Sequence, residues 1–190
     1  SPVKLVTDHE ARLESIQSIL SRIAEIDPVK GWIFLHNQQK TLPEDLADRI
    51  TTGTRNFSKA YKNHDLEGCL EAAERLLGLG GGLTPSGDDW LAGFVLYQTR
   101  CQLANNTSAA FLEELTQKLL ELAKDKTTTI STNRILAASR GWAEEPFVQV
   151  IDGLFTGKPA SDDLVALLTH FGHSSGVDTT LGIAASVDCE

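Results

Sequence analysis

Methionine is missing from all 190 residues, the first included. A chain that starts without it reads as trimmed or processed, and an N-terminal portion of the native protein is expected to precede it. Cysteine is scarce. Cys69, Cys101 and Cys189 are odd in number and lack metal-ligand spacing, which reads as reduced thiols in an intracellular, cytoplasmic protein rather than a disulfide framework. No apolar run approaches the ~18 residues of a membrane span, and no secretory leader pattern opens the chain. Basic residues are outnumbered, 17 against 26 acidic ones, and the formal charge of -9 repels phosphate backbones and anionic lipid at long range. Neither nucleic acid nor membrane is expected as a partner. Fixed-period repeats and low-complexity segments are also lacking.

What remains is a globular composition, 41% hydrophobic and 23% charged, in a length that suits one domain over residues 1–190. Helical periodicity dominates. Thr7 to Glu10 reads as a capping box ahead of a stripe of Leu13, Ile16, Ile19, Leu20, Ile23 and Ile26, ended by Asp27 and Pro28. Pro43 fits the first turn of a second helix, and Asp65 opens a third that ends at Gly78. Further helices are expected over residues 86–103, up to 124 after a break at Asn105 to Ser108, and over 129–142, 145–155, 161–171 and 175–186. Residues 31–35 (GWIFL) are the only strand-like run. The expected fold is therefore all-α, a multi-helix bundle-like domain with at most a short strand near residues 31–35.

Three helix starts carry more polar residues than capping requires. In the first, Gly78, Gly80, Gly81 and Gly82 let a ligand approach the main chain, and Thr84 or Ser86 can cap the helix that follows. Free N–H groups at such a start suit an anion. The spacing from Gly82 to Gly87 invites comparison with a nucleotide P-loop, but Asp88 and Asp89 stand where Lys and Ser or Thr are needed. No nucleotide is expected. Two carboxylates there suit either Mg2+ bridged to a substrate or a general base that also orients an amide.

The second set places four threonines and a serine in residues 127–132, followed by Asn133 and by Arg134, a possible charge for an anionic substrate. The third runs from Gly172 through His173, Ser174, Ser175 and Gly176 to Asp178, with Ser175 and Asp178 spaced as a capping box. His170 and His173 lack further ligands, so no zinc site is expected. No nucleophile elbow supports a triad of Ser86, His173 and Asp88. If the three starts converge, they form one polar pocket. Its candidate catalytic side chains are Asp88, Asp89 and His173, and its candidate metal ligands are Asp88, Asp89 and Asp178. Substrate contacts are expected from Gly81, Gly82, Thr84, Ser86, Gly87, Thr129, Ser131, Asn133, Ser174, Ser175 and Gly176.

Residues 78–93, GLGGGLTPSGDDWLAG, resemble the signature of a bacterial family once catalogued only as a domain of unknown function. That family is associated with a subunit of oxamate carbamoyltransferase in anaerobic allantoin degradation. Residues 128–131 and 172–178 are similar to its other two motifs, in the same order. The resemblance covers roughly residues 66–184, as in the C-terminal two-thirds of a longer protein, and Gly81 stands where the family often has proline. It implies a reaction of oxalurate with phosphate giving oxamate and carbamoyl phosphate, and other enzyme subunits as partners. It also implies small anionic ligands met by Thr84, Ser86, Ser131 and Ser175, with Asp88, Asp89 and Asp178 holding a metal or orienting an amide. The leading reading is a subunit of such a carbamoyltransferase. A non-catalytic anion-binding or assembly subunit and a metal-dependent hydrolase are the alternatives.

Overall fold

A computed structural model describes residues 3–39, 42–107 and 110–190 of the chain. Among these residues there are ten helices and no strand. The first, α1 (His9–Ile26), is capped by Asp8, whose side chain accepts from the Ala11 N–H. The expected capping box does not form, because the Thr7 hydroxyl donates instead to the Leu154 carbonyl at 2.7 Å, tying the entry of α1 to a distant helix.

The GWIFL run is no strand. No strand among the described residues takes its backbone groups, so they close local turns: Ile33 N–H to Lys30 O at 3.0 Å and Leu35 N–H to Trp32 O at 2.9 Å. A single-turn helix, α2 (Phe34–Asn37), follows, and Trp32, Ile33 and Phe34 are buried.

Helix α3 (Glu44–Lys62) starts after Pro43, and α4 (Leu66–Leu76) is capped by Asp65. The chain then turns through Gly78, at φ +73°, into the glycine loop and α5 (Ser86–Asn105). Asn106, in the left-handed conformation, closes α5; Ser108, the last residue of the expected break, lies outside the described residues. Next come α6 (Ala110–Lys126), α7 (Thr129–Ala138), α8 (Glu145–Thr156), α9 (Asp162–His170) and α10 (Ser175–Val187). Helix α7 stops short of the expected end because Gly141, at φ +75°, turns the chain back, with its N–H on Ala138 O.

Two helices form the centre. Every residue of α5 from Ser86 to Tyr97 is buried, and nearly all of α10 is. Helices buried on every side belong in a core rather than at a surface. The two run side by side in the same direction: Ser86 lies by Ser174, Gly93 by Thr179, and the Gln98 amide donates to Ser186 O at 3.1 Å. Glycines allow the approach. A Cβ on Gly93 would stand 2.1 Å from Thr179 O, and one on Gly182 would stand 2.0 Å from Trp90 O. Because the pair is parallel and in register, both N-termini emerge at the same end of the core.

Candidate functional site

That shared end brings the first and third motifs together. The Thr84 and Ser175 hydroxyls are 2.9 Å apart, and those of Ser86 and Ser174 are 3.5 Å apart. Beneath them lie two carboxyls, Asp89 on α5 and Asp178 on α10, each with 1% exposure or less. The second motif joins from the side. Arg134 on α7 pairs with Asp89, and the Thr128 hydroxyl donates to Leu83 O at 2.7 Å, holding the glycine loop.

The capping expected at these starts is replaced. Neither Thr84 nor Ser86 caps α5, which begins after Pro85 with no side-chain cap. Ser175 and Asp178 form no box either: Ser174 is the boundary residue, and Asp178 accepts the Trp32 N–H at 2.8 Å. The expected cradle of free N–H groups is largely used internally. Gly87 N–H donates to Leu79 O at 2.9 Å, Asp88 N–H to Pro85 O at 3.0 Å, and Gly176 N–H to Phe171 O at 3.1 Å. The groups left to meet a ligand are mainly hydroxyls and carboxyls.

The two adjacent aspartates part company. Helical rotation of about 100° between neighbours sends them to different surroundings. Asp88 accepts the Gly78 N–H at 2.8 Å with one oxygen and the Thr127 hydroxyl with the other. It staples the glycine loop to the turn before α7, and both oxygens are in use. Asp89 turns toward α7 and α10. Its Oδ1 is held by Arg134, and its Oδ2 is buried with no hydrogen-bond partner. Asp178 is alike: Oδ1 takes the Trp32 N–H, and Oδ2 is buried without a partner.

Burial sets the charge of these groups. It pushes Asp89 up to about 6, against the pull of the Arg134 charge and the Ser175 hydroxyl, with the nearby Asp88 adding to the rise. Asp178 is pushed up to about 7 by burial, and the Asp89 charge adds to it, while Ser86, the Trp32 N–H and Ser174 favour the ionised form. Two buried carboxyls with raised proton affinities in one polar cluster are suited to exchanging protons near neutral pH.

The other candidate residues fall less centrally. Ser131 is buried with its hydroxyl unpartnered, whereas Thr129 and Asn133 are exposed on α7. His173 is exposed on the turn before α10, without a hydrogen bond or ion pair among the described residues, so it stands apart from the expected catalytic set. Gly87 and Gly176 are packing glycines: added Cβ atoms would meet Leu76 O at 2.0 Å and Leu168 O at 1.9 Å. Gly81 and Gly82 are exposed, with open space around them. Among the described residues no three His, Cys, Asp or Glu side chains form a metal-ligand group, because Asp88 is directed away and Asp89 already faces a guanidinium. Asp88, Asp89 and Asp178 therefore do not come together as one three-carboxyl set.

Sequence reading missed Gly31 and Trp32. Gly31, at φ +52°, lies so close that a Cβ would be 2.5 Å from Asp178 Oδ1, and the Trp32 ring covers Gly87. Nothing local in residues 31–35 signals a contact with residue 178.

With this geometry in view, the family described as oxamate carbamoyltransferase subunit AllH matches residues 76–187. The chain belongs to this family. The AllH match begins at the end of α4 and takes in α5, α7 and α10, so it contains both carboxyls, Arg134 and all four hydroxyls of the cluster. It leaves out Gly31 and Trp32, which reach the cluster from outside the matched segment. No solved structure matches the chain, and no helix among the described residues is long and apolar enough to cross a membrane.

Proposed function

We propose that this chain is the substrate-handling subunit of its carbamoyltransferase, acting on small anionic amide and carbamoyl compounds of the oxalurate, oxamate and carbamoyl phosphate class. The observation that carries this reading is the pair Asp89 and Asp178, each fully buried with one oxygen left without a partner. A buried carboxyl oxygen left unpaired costs on the order of 1–3 kcal/mol; on ionised Asp89 a ligand amide N–H supplies the missing donor, and on protonated Asp178 a ligand oxygen or nitrogen supplies the missing acceptor. Two parallel helix N-termini at the same end offset part of the negative charge.

The reaction joins a phosphate oxygen to the carbamoyl carbon of oxalurate while the bond from that carbon to the oxamate nitrogen breaks. One proton leaves phosphate and one arrives on that nitrogen. Asp178, which keeps its proton near neutrality, donates to the leaving nitrogen. Asp89, held more ionised by Arg134, receives the phosphate proton. A proton then returns between the two carboxyls and restores the starting state. Arg134 and the hydroxyls of Thr84, Ser86 and Ser175 hold the anionic groups. No step is routed through Mg2+; these steps need only the proton transfers of Asp89 and Asp178.

Both carboxyls are sealed from solvent, so the glycine loop is the element that opens. It is held at its far end by Thr84 on Ser175 and by Leu83 on Thr128. The test is steady-state formation of carbamoyl phosphate from oxalurate and phosphate by the enzyme assembled with its other subunits. Asp178→Asn and Asp89→Asn should each lower kcat by about a hundredfold or more, with smaller effects on KM. Unchanged turnover in both variants, with oxamate still binding saturably, would favour the non-catalytic reading.

A further inference from the structure

Eight large apolar side chains are exposed among the described residues, and four of them, Leu83, Leu103, Ile130 and Trp142, fall on one strip. Contacts of α5, α7 and the turn after α7 link these residues. Leu103 packs against Gly141, where a Cβ would stand 2.7 Å from it, and Trp142 follows directly in sequence. Trp142 and Ile130 flank a cavity of about 500 Å³ between α5, α7 and α8. From Ile130 the strip reaches Leu83 through Thr128, which holds the Leu83 carbonyl at 2.7 Å. Trp142 is 65% exposed and Leu83 72%. Isolated exposed apolar residues are ordinary, but a row of them leading into an apolar cavity marks a contact surface.

The cavity is walled by Ala92, Leu96, Ala137 and Phe147. Thr179 also lines it, and its hydroxyl is buried without a partner. Glu144 lines it as well and pairs there with Arg134 at 3.3 Å, and Glu145 follows it in sequence, both glutamates exposed. This is the anatomy of an interface centre: a pocket for one anchoring side chain, rimmed by aromatic and charged groups.

We infer that the strip from Leu83 to Trp142 is the docking surface for another subunit of the enzyme, which seats an apolar side chain in this cavity and sets basic residues against Glu144 and Glu145. The family is that of a subunit, so a different chain is the natural occupant. A second copy is disfavoured, because it would set a net charge of -9 against -9. Arg134, which pairs with Asp89, also lines the cavity, so the test reads assembly rather than turnover, and a loss of the proton roles of Asp89 and Asp178 would leave it unchanged.

The test measures the affinity of this chain for the other subunits, using Ile130→Glu and Trp142→Glu. Both positions are exposed, so both variants should keep the melting temperature of the isolated chain within a few degrees. Val29→Glu and Leu167→Glu, at exposed apolar positions off the strip, serve as controls. The strip variants should weaken assembly by about a hundredfold and the controls less than about threefold. Assembly unaffected by the strip variants, or weakened equally by the controls, overturns the inference. So does a wild-type chain that assembles with no other subunit. An isolated chain that self-associates in light scattering, and loses this with the strip variants, assigns the surface to a second copy and also overturns it.

Discussion

Asp178→Asn separates the cost of the buried carboxyl from its chemistry, because Asn keeps an oxygen for the Trp32 N–H and removes the charge. The carboxyl goes from an ordinary 3.8 to about 7 on folding. Its folded pKa is raised, so between these values the native state binds more protons than the unfolded one, and stability falls as pH rises. Linkage puts the resulting penalty at about 1 kcal/mol at pH 4.5 and about 4 kcal/mol at pH 8.5. Asp89, also raised, titrates in both proteins and largely cancels from the comparison. Seating the Asn amide nitrogen where Oδ2 has no partner carries a fixed cost that is the same at both pH values and drops out of the difference. Urea unfolding followed by far-ultraviolet circular dichroism should therefore show the variant gaining on wild type by about 3 kcal/mol between pH 4.5 and 8.5. A gap that stays constant with pH, or reverses, would refute a carboxyl held protonated by burial. The same variant should lose turnover, which makes Asp178 a residue that costs stability and serves activity.

Two further outcomes follow from the packing. Asp88→Ala leaves the Gly78 N–H and the Thr127 hydroxyl without their acceptor, and should cost about 3 kcal/mol in urea unfolding; a variant as stable as wild type would show that the staple does not hold the loop. Gly182→Ala drives a methyl to within 2.0 Å of Trp90 O and should cost more than about 3 kcal/mol or leave little soluble protein, while Gly81→Ala, with nothing within 4 Å, should stay within about 0.5 kcal/mol of wild type.

Local patterns determined much of this protein. The helices after Asp65, Thr128 and Ser161 begin where side-chain caps place them, whereas the helix at Pro43 starts one residue after that ring rather than around it. The all-α class follows from apolar periodicity that needs no distant partner. The three motifs were visible for a similar reason: glycines, hydroxyls and carboxylates crowd helix starts beyond what capping uses. Tertiary structure decided what each of those residues does. Asp88 and Asp89 are the same residue type in adjacent positions, and only their neighbours, Thr127 on one side and Arg134 on the other, make one a staple and the other a buried acid. Gly87 and Gly176 looked like ligand glycines until the backbones of Leu76 and Leu168 were found against them. Trp32 and Asp178 meet across 146 residues. That contact, and the convergence of the first and third motifs, exist because α5 and α10 lie parallel with their N-termini side by side. Helix direction and register in a core are set by packing between segments far apart in sequence, and no window along the chain contains both halves of it.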